Sequence, residues 1–189
     1  MVADPFLSET AALADVVLPV AQWAEEEGTI TNLEGRIILR HRVKAPPEGV
    51  WTDNQVLKAL ADRPGHGRHF TANARETFEE LRRATAGAIA DYSGVTYERF
   101  DAEDGVFWPC PSPDHPGTPR LFLDRFSTED GRARFHAVEH RAPAEVPDKF
   151  FPYFLTTGRV LAQYNSGTQT RRTGELREAA PEPFVGDTS

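Results

Sequence analysis

The sequence predicts an α/β fold, and three local patterns favour it. A helix start at Ser8 leads into a short apolar strand, Val16–Leu18, of the kind buried in parallel sheets. A second helix start follows at Thr52, and residues 72–90 repeat apolar side chains at helical spacing. Short apolar strands that alternate with helices are typical of a doubly wound domain on a parallel sheet.

The first elements follow from capping and turn residues. Ser8 can act as an N-cap and Glu9 complements the positive helix N-terminus, so a helix is expected over residues 9–14. Glycine and asparagine interrupt residues 23–36, which predicts a loop. We expect an exposed strand to follow over residues 37–43.

The two longer helices have clear signals. Thr52 and Gln55 fit a capping box, and Pro64-Gly65 ends the helix that this box begins. The next helix is predicted over residues 72–90, with one apolar side in the core. That side carries Phe78, Leu81, Thr85, Ala88, Ile89 and Tyr92.

Changes of composition divide the chain into three regions. Residues 1–92 form the α/β part, and residues 93–148 are rich in proline, which predicts a loop-rich connection with a few short strands. Residues 149–189 are expected to begin a β-barrel-like domain, with a new strand over residues 150–156. The pattern of elements is already under way at residue 1, and the sequence stops soon after a dense polar run. These two features predict a fragment.

Composition argues against several classes of function. The net charge of −8 is unsuited to nucleic acid as a partner, because phosphate binding needs a basic face. No apolar run approaches the about 18 residues of a membrane helix. A single cysteine provides neither an intrachain disulfide nor an iron–sulfur site. We therefore expect no membrane partner and a cytoplasmic location.

Two groups of residues resemble a metal site or a reactive thiol, but each has a simpler interpretation. His136 and His140, with Glu139 between them, match a zinc-peptidase pattern, although Pro143 and strand-like surroundings disfavour the helix it needs. Cys110 lies between two prolines with no His or Lys beside it to activate a thiol. An inert, partly buried cysteine is expected, and neither a metal ligand nor a catalytic residue is predicted.

A dense polar run follows the predicted strand at residues 150–156. Thr157 offers a short hydrogen bond, Gly158 lets backbone approach a ligand, and Arg159 suits a phosphate or planar partner. Hydroxyl and amide side chains continue to Ser166. This composition predicts a surface that binds a polar, phosphorylated cofactor, with ordinary strand-end capping as the alternative for Thr157.

Four blocks carry a family resemblance over nearly the whole chain. They are Asp4–Pro19, Trp23–Arg36, Trp108–Pro111 with His115–Pro119, and Thr157–Arg159. Together they resemble the molybdenum bis-(molybdopterin guanine dinucleotide) oxidoreductases, which include bacterial nitrate reductases, formate dehydrogenases and dimethyl sulfoxide reductase. Residues 91–98 and 160–172 look most like the assimilatory nitrate reductases, and formate dehydrogenase is the alternative.

The resemblance implies a large oxidoreductase of which this chain is one part. Its molybdenum is held by two pyranopterin dithiolenes, and a 4Fe-4S cluster lies in an N-terminal part that these residues do not include. Such an enzyme takes electrons from a donor protein or domain and, in nitrate assimilation, converts nitrate to nitrite. The chain by itself is expected to be inactive. A non-catalytic module that keeps part of a dinucleotide site is the other class of function.

The resemblance also implies which residues bind the dinucleotide. Asp4 and Asp53 look like dinucleotide contacts, since a carboxylate can accept hydrogen bonds from guanine N1 and N2. A simpler role for Asp53 is to complement the helix dipole. Glu26 stands where relatives often place a lysine, which puts a phosphate contact there in doubt. The other implied contacts are Thr157, Gly158, Arg159, Val160, Leu161, Gln163, Tyr164, Asn165 and Ser166.

Overall fold

The computed structural model describes residues 1–186, which belong to two compact units divided after Arg134. The predicted boundaries after residues 92 and 148 stay predictions, and residues 187–189, the end of the predicted third region, lie outside the described residues. The first unit mixes helices with two small sheets, as expected of an α/β fragment. In the part of the chain that the structure describes, no helix is long and apolar enough to cross a bilayer.

A parallel pair of strands forms the first sheet. β1 (Val2–Asp4) and β2 (Val17–Pro19) run side by side, and helix α1 (Glu9–Ala12) connects them. The strand predicted at residues 16–18 is therefore confirmed to within one residue. Its predicted burial was wrong, because Val17 is 37% exposed in a sheet that has only β1 and the Trp51 backbone beside β2.

An antiparallel sheet forms where a loop was predicted. β3 (Gly28–Thr31) and β4 (Arg36–Arg40) make a hairpin, and β5 (Val106–Phe107) pairs with the other side of β4. The loop prediction for residues 23–36 was thus wrong over β3, where β-branched residues outweigh the glycine. β4 is the central strand, so Ile37 is buried and the expectation of an exposed strand was wrong there.

The capping signals correctly locate the longer helices. α2 (Asp53–Asp62) begins with the predicted capping box, in which the Gln55 N–H donates to Thr52 Oγ1 at 3.3 Å and the Thr52 N–H donates to Gln55 Oε1 at 2.8 Å. α3 (Ala74–Thr85) is shorter than the predicted helix over residues 72–90, because the chain turns at Gly87, whose φ is +77°.

The core of the first unit is built around Phe78 on α3. Its ring lies within 6.3 Å, centroid to centroid, of three aromatic rings that the region after α3 supplies. These are the rings of Tyr92, Tyr97 and Phe100. The predicted apolar side of α3 is correct at Phe78 but wrong at Ile89, which lies beyond the helix end and is 77% exposed.

The proline-rich region contains one helix that the composition did not predict. α4 (Tyr97–Ala102) begins at Thr96, whose Oγ1 accepts a hydrogen bond from the Arg99 N–H at 3.3 Å. This helix brings Tyr97 and Phe100 onto Phe78. The rest of the region up to residue 134 is irregular apart from β5, as predicted.

The described part of the second unit contains one α-helix, α5 (Gly174–Ala179), and a short 3₁₀ turn. Residues 150–156 form no strand, so the strand predicted there is not observed, nor is a barrel. The side chains from Phe150 to Leu155 are exposed. A strand is held by backbone hydrogen bonds to its neighbours, and the described residues of this unit supply no neighbouring strand.

The buried carboxylate of Asp91 closes the turn after α3. It accepts hydrogen bonds from the Ser93 and Gly87 N–H groups, each at 2.7 Å. Interactions with the Ser93 side chain, then with the two backbone N–H groups, lower the pKa of Asp91. Because the folded pKa lies below the unfolded value of 3.8, the ionised side chain stabilises the fold at neutral pH.

We expect Asp91→Asn to lower the free energy of unfolding at pH 7, and the difference from wild type to shrink as the pH falls below 3.8. Wild type loses the contribution of the carboxylate when it is protonated, whereas the amide does not titrate. Urea titrations from pH 7 to pH 3 measure the effect. Asp101→Asn, at an exposed position of α4, is the control. A difference that stays constant over this range would contradict the prediction.

Candidate functional site

Two of the candidate carboxylates lie at one edge of the parallel sheet. Asp4 ends β1 and pairs in register with Pro19 of β2. Directly after β2, Val20 forms a parallel bridge with Trp51, and the Ala21 N–H donates to the Trp51 carbonyl at 2.8 Å. Asp4 therefore ends one segment and Asp53 follows another, and the two segments run in the same direction. The segments lie two strand spacings apart, each of about 4.8 Å. The carboxyl edge of a parallel sheet is where open α/β folds bind ligands.

The Asp4 carboxylate is already engaged in local structure. Its Oδ1 accepts from the Phe6 N–H and its Oδ2 accepts from the Ser8 hydroxyl, both at 2.9 Å. The same Ser8 oxygen accepts from the Ala11 N–H, as the predicted N-cap of α1. Asp4 thus stabilises the turn from β1 into α1, and its contact with a ligand stays a prediction.

Asp53 is the first residue of α2 and its side chain is exposed. The capping box places it there, since Thr52 and Gln55 fix where the helix begins. At this position a carboxylate complements the partial positive charge of the helix N-terminus and still faces solvent. Asp53 can therefore accept hydrogen bonds from a bound group.

Glu26 forms an ion pair that its position in sequence did not suggest. Glu26 Oε1 is 3.3 Å from Arg40 Nη2. Burial raises the pKa of Glu26, the charge of Asp53 raises it further, and Arg40 lowers it. The sequence does not reveal Arg40 as the partner of Glu26, because the hairpin brings together residues 14 positions apart.

The first part of the polar run lies open to solvent in the second unit. Residues 157–161 are exposed and have no regular secondary structure, so Thr157-Gly158-Arg159 is not at a strand end as the sequence predicted. A side chain at Gly158 would meet no atom within 4 Å. Arg159 makes no hydrogen bond or ion pair with the residues that the structure describes, so its guanidinium is available to a ligand.

The second part of the polar run is folded around Gln163. Its Nε2 donates to the carbonyls of Leu176 and Ala180, at 2.9 and 3.2 Å, and its Oε1 accepts from the Thr170 hydroxyl at 2.6 Å. All the polar atoms of this amide are therefore occupied by the chain itself. Gln163 holds the run against α5, and its predicted contact with a cofactor stays a prediction.

The turn after Gln163 presents the remaining polar groups. Asn165 has φ +51°, a left-handed conformation that asparagine adopts more readily than most residues. Tyr164 is exposed, and the hydroxyls of Ser166 and Thr168 are 2.9 Å apart. Val160 and Leu161 are exposed too. These residues thus line one accessible segment of the second unit.

Cys110 is fully buried, deeper than the partial burial that the sequence predicted. Its Sγ accepts from Arg99 Nη1 at 3.1 Å, and the same nitrogen donates to the carbonyls of Gly94 and His115 at 3.1 and 3.0 Å. The sequence does not reveal this contact, because Arg99 is not adjacent to Cys110 in the chain. Arg99 and Cys110 lie 11 residues apart and together hold the proline-rich loop in place.

The structure places Asp4, Glu26 and Asp53 in the first unit and residues 157–166 in the second. Across residues 1–186, no group of three or more His, Cys, Asp or Glu side chains is arranged to hold a metal ion. The arrangement in the first unit can accept hydrogen bonds from a neutral donor such as a base. The open part of the run in the second unit can bind an anion.

Comparisons with known proteins indicate one family. Residues 1–63 match the family model described as molybdopterin oxidoreductase. The chain is 44% identical over 185 residues to the assimilatory nitrate reductase catalytic subunit of Bacillus subtilis, an alignment that covers 96% of this chain and 26% of that protein. It is 45% identical over 186 residues to the F420-dependent formate dehydrogenase subunit alpha of Methanocaldococcus jannaschii, covering 98% of this chain and 27% of that protein.

A further relative extends the range of similar proteins. The chain is 36% identical over 196 residues to the assimilatory nitrate reductase of Haloferax mediterranei, with 100% of this chain and 28% of that protein aligned. The chain thus spans about a quarter of the length of the relatives it matches.

Proposed function

The chain belongs to the molybdopterin oxidoreductase family, and on that premise we propose that it supplies dinucleotide-binding residues to a molybdenum enzyme that reduces nitrate to nitrite. The observation that supports a molybdenum enzyme is the 44% identity, over nearly the whole chain, to an assimilatory nitrate reductase catalytic subunit. Nitrate is preferred as the substrate because residues 91–98 and 160–172 look most like the assimilatory nitrate reductases. We propose a cytoplasmic enzyme that receives electrons from a donor protein or domain.

The side chains present suit a molybdopterin guanine dinucleotide. The guanidinium of Arg159 has no partner among the described residues, and the backbone at Gly158 lies open, so this segment can approach a phosphate. Asp53 offers an exposed carboxylate at a helix start, which can accept from guanine N–H groups. The chain therefore offers a cation for the phosphates, at Arg159, and a carboxylate for the guanine, at Asp53.

The molybdenum cofactor, when bound, supplies the redox chemistry, and the protein supplies binding and orientation. In this chain we assign Arg159 and Thr157 to the phosphates and Asp53 to the guanine. Tyr164, Asn165 and Ser166 contribute an accessible polar rim. Asp4 and Gln163 are also assigned to the cofactor, although their side chains already hold the β1 turn and the polar run. A 4Fe-4S cluster is proposed for the remainder of the full-length protein.

Formate oxidation is the second candidate, because the formate dehydrogenase subunit of M. jannaschii is 45% identical over the same region. The two candidates share the cofactor and the proposed roles of this chain. They differ in the substrate, which residues elsewhere in the full-length protein are expected to select. A binding module without redox chemistry is the third possibility, and the codons that flank this sequence in the genome distinguish it from both.

We expect the full-length protein to oxidise reduced viologen when nitrate is added, and not to reduce a dye when formate is added. The two assays run on the same preparation, with its molybdenum content measured first. A matched control is the same protein purified from cells grown with tungstate in place of molybdate. Formate-dependent dye reduction without nitrate reduction would assign the enzyme to the formate branch instead.

A further inference from the structure

Trp51 is an aromatic residue that the core of the first unit does not use. It is 47% exposed, and among the described residues its indole has no hydrogen bond, cation or second aromatic ring against it. Trp108 differs, because its ring lies 5.9 Å from the Tyr92 ring at the edge of the core. The Trp51 indole therefore leaves a large aromatic surface available to a ligand.

The backbone that carries this indole is held on both sides. The Trp51 N–H donates to the Pro19 carbonyl at 3.3 Å, and the Trp51 carbonyl accepts from the Ala21 N–H at 2.8 Å. The next carbonyl, of Thr52, accepts the first hydrogen bond of α2 from the Val56 N–H at 3.0 Å. Only the two side-chain torsions of Trp51 are free, so packing a ligand on its ring costs little conformational entropy.

Trp51 lies one residue away from Asp53, the proposed guanine contact. Because a residue spans at most about 3.6 Å along the chain, the Cα atoms of Trp51 and Asp53 are within about 7 Å of each other. The hydroxyl of Thr52, between them, is occupied by the Gln55 N–H at 3.3 Å. Asp53 itself is exposed. An exposed aromatic ring and an exposed carboxylate thus occur within three residues at the carboxyl edge of the parallel segments.

We propose that the Trp51 indole stacks on the guanine base of the dinucleotide. The proposal rests on the proposed function, in which Asp53 accepts hydrogen bonds from guanine N–H groups. A base has hydrogen-bonding groups along its edge and two flat faces, so a carboxylate and an indole contact different parts of it. Stacking tolerates any base, whereas the carboxylate suits guanine, which presents its N1 and N2 donors together. Trp51 therefore supplies affinity, and Asp53 supplies the choice of base.

Trp23 is the other exposed tryptophan near this edge. It is 64% exposed and lies in the short turn Trp23–Glu25, which follows Ala21 closely. Trp23 belongs to the neighbouring segment, whereas Trp51 is on the same segment as Asp53. Stacking is therefore assigned to Trp51, and Trp23 provides a matched control of the same residue type.

The test measures guanine nucleotide retained by the full-length holoprotein. Protein is dialysed, and the nucleotide that remains at successive times is released by acid hydrolysis and quantified as GMP. From the usual contribution of stacking between a base and an aromatic side chain, Trp51→Ala should lose nucleotide about 5- to 150-fold faster than wild type. Trp23→Ala should lose it at the wild-type rate.

Two further variants separate stacking from simple packing. Trp51→Phe keeps an aromatic face, so it should retain nucleotide longer than Trp51→Leu, which keeps an apolar side chain without one. Both changes are at a half-exposed position, so similar stability is expected, and urea unfolding checks it. If the two variants lose nucleotide equally fast, Trp51 does not stack on the base. This comparison also decides the matter if Trp51→Ala does not fold.

Asp53→Asn separates failure of this inference from failure of the proposed function. If Asp53→Asn loses nucleotide faster but Trp51→Ala retains it like wild type, the stacking role is wrong and the dinucleotide role of Asp53 stands. If only Trp51→Ala loses it faster, stacking stands and the role of Asp53 is wrong. Faster loss from Trp23→Ala alone would move the stacking to Trp23 and overturn the inference.

A third pattern of results would overturn both proposals. If wild type contains no guanine nucleotide, or if Asp53→Asn and Trp51→Ala both retain as much as wild type, guanine does not bind at this edge. The proposed function then fails at this site, and the stacking role of Trp51 fails with it.

Discussion

Arg159→Ala in the full-length enzyme is expected to weaken cofactor retention about 10- to 100-fold. The guanidinium has no partner among the described residues, so its removal should cost the fold little and the proposed phosphate contact much. A hydrogen bond to a charged group is worth about 1.5–3 kcal/mol, and each 1.4 kcal/mol is tenfold in affinity. Molybdenum and phosphate content after gel filtration measure the loss.

Two matched variants make the Arg159 result specific. Arg132→Ala removes the same charge at an exposed position whose side chain has no described contact, and it should retain molybdenum like wild type. Arg159→Lys keeps the charge but not the forked donor geometry, so an intermediate loss is expected. If Arg159→Ala retains as much molybdenum as Arg132→Ala, Arg159 does not bind the cofactor.

Phe78→Ala is expected to lower the free energy of unfolding of the first unit by about 3–5 kcal/mol, the usual cost of removing a buried aromatic ring. Phe78 is 4% exposed and packs against the rings of Tyr92, Tyr97 and Phe100. Its removal leaves a cavity where α3, α4 and the turn between them meet. Because domains of this size are stabilised by only about 5–15 kcal/mol, the variant should be close to unfolding.

Urea unfolding followed by tryptophan fluorescence measures this change, since Trp108 lies 5.9 Å from the Tyr92 ring at the edge of the same core. Leu33→Ala, in the exposed turn of the β3–β4 hairpin, is the control and should change stability by less than about 0.5 kcal/mol. A Phe78→Ala variant as stable as Leu33→Ala would show that the aromatic cluster does not hold the unit together.

The elements that were predicted well are those whose cause is local. Ser8 and Thr52 start α1 and α2 through hydrogen bonds to residues three positions later, so the signal and the structure lie in the same few residues. Phe78 was placed in the core because helical spacing assigns it to one side of α3. The hairpin over residues 28–40 was missed because Gly28 suggests a loop, although it begins a strand in the structure.

The features that were not predicted depend on contacts between residues distant in sequence. The apolar run at 150–156 has the composition of a strand, but no neighbouring strand is present among the described residues of its unit. Arg99 reaches Cys110 only because α4 and the proline-rich loop fold together. The Glu26–Arg40 pair likewise depends on the register of the hairpin. The candidate residues themselves came from family resemblance, which gives roles and not contacts.

We expect the exposed apolar side chains at residues 150–155 to limit the colloidal stability of the chain in solution. Uncovered patches of this kind favour self-association, and like-charge repulsion between molecules opposes it. The net charge of −8 provides that repulsion at neutral pH, and it vanishes near the isoelectric point of 5.3. Sulfate strengthens apolar association. The chain is therefore best kept in dilute, sulfate-free solution at pH 7 or above.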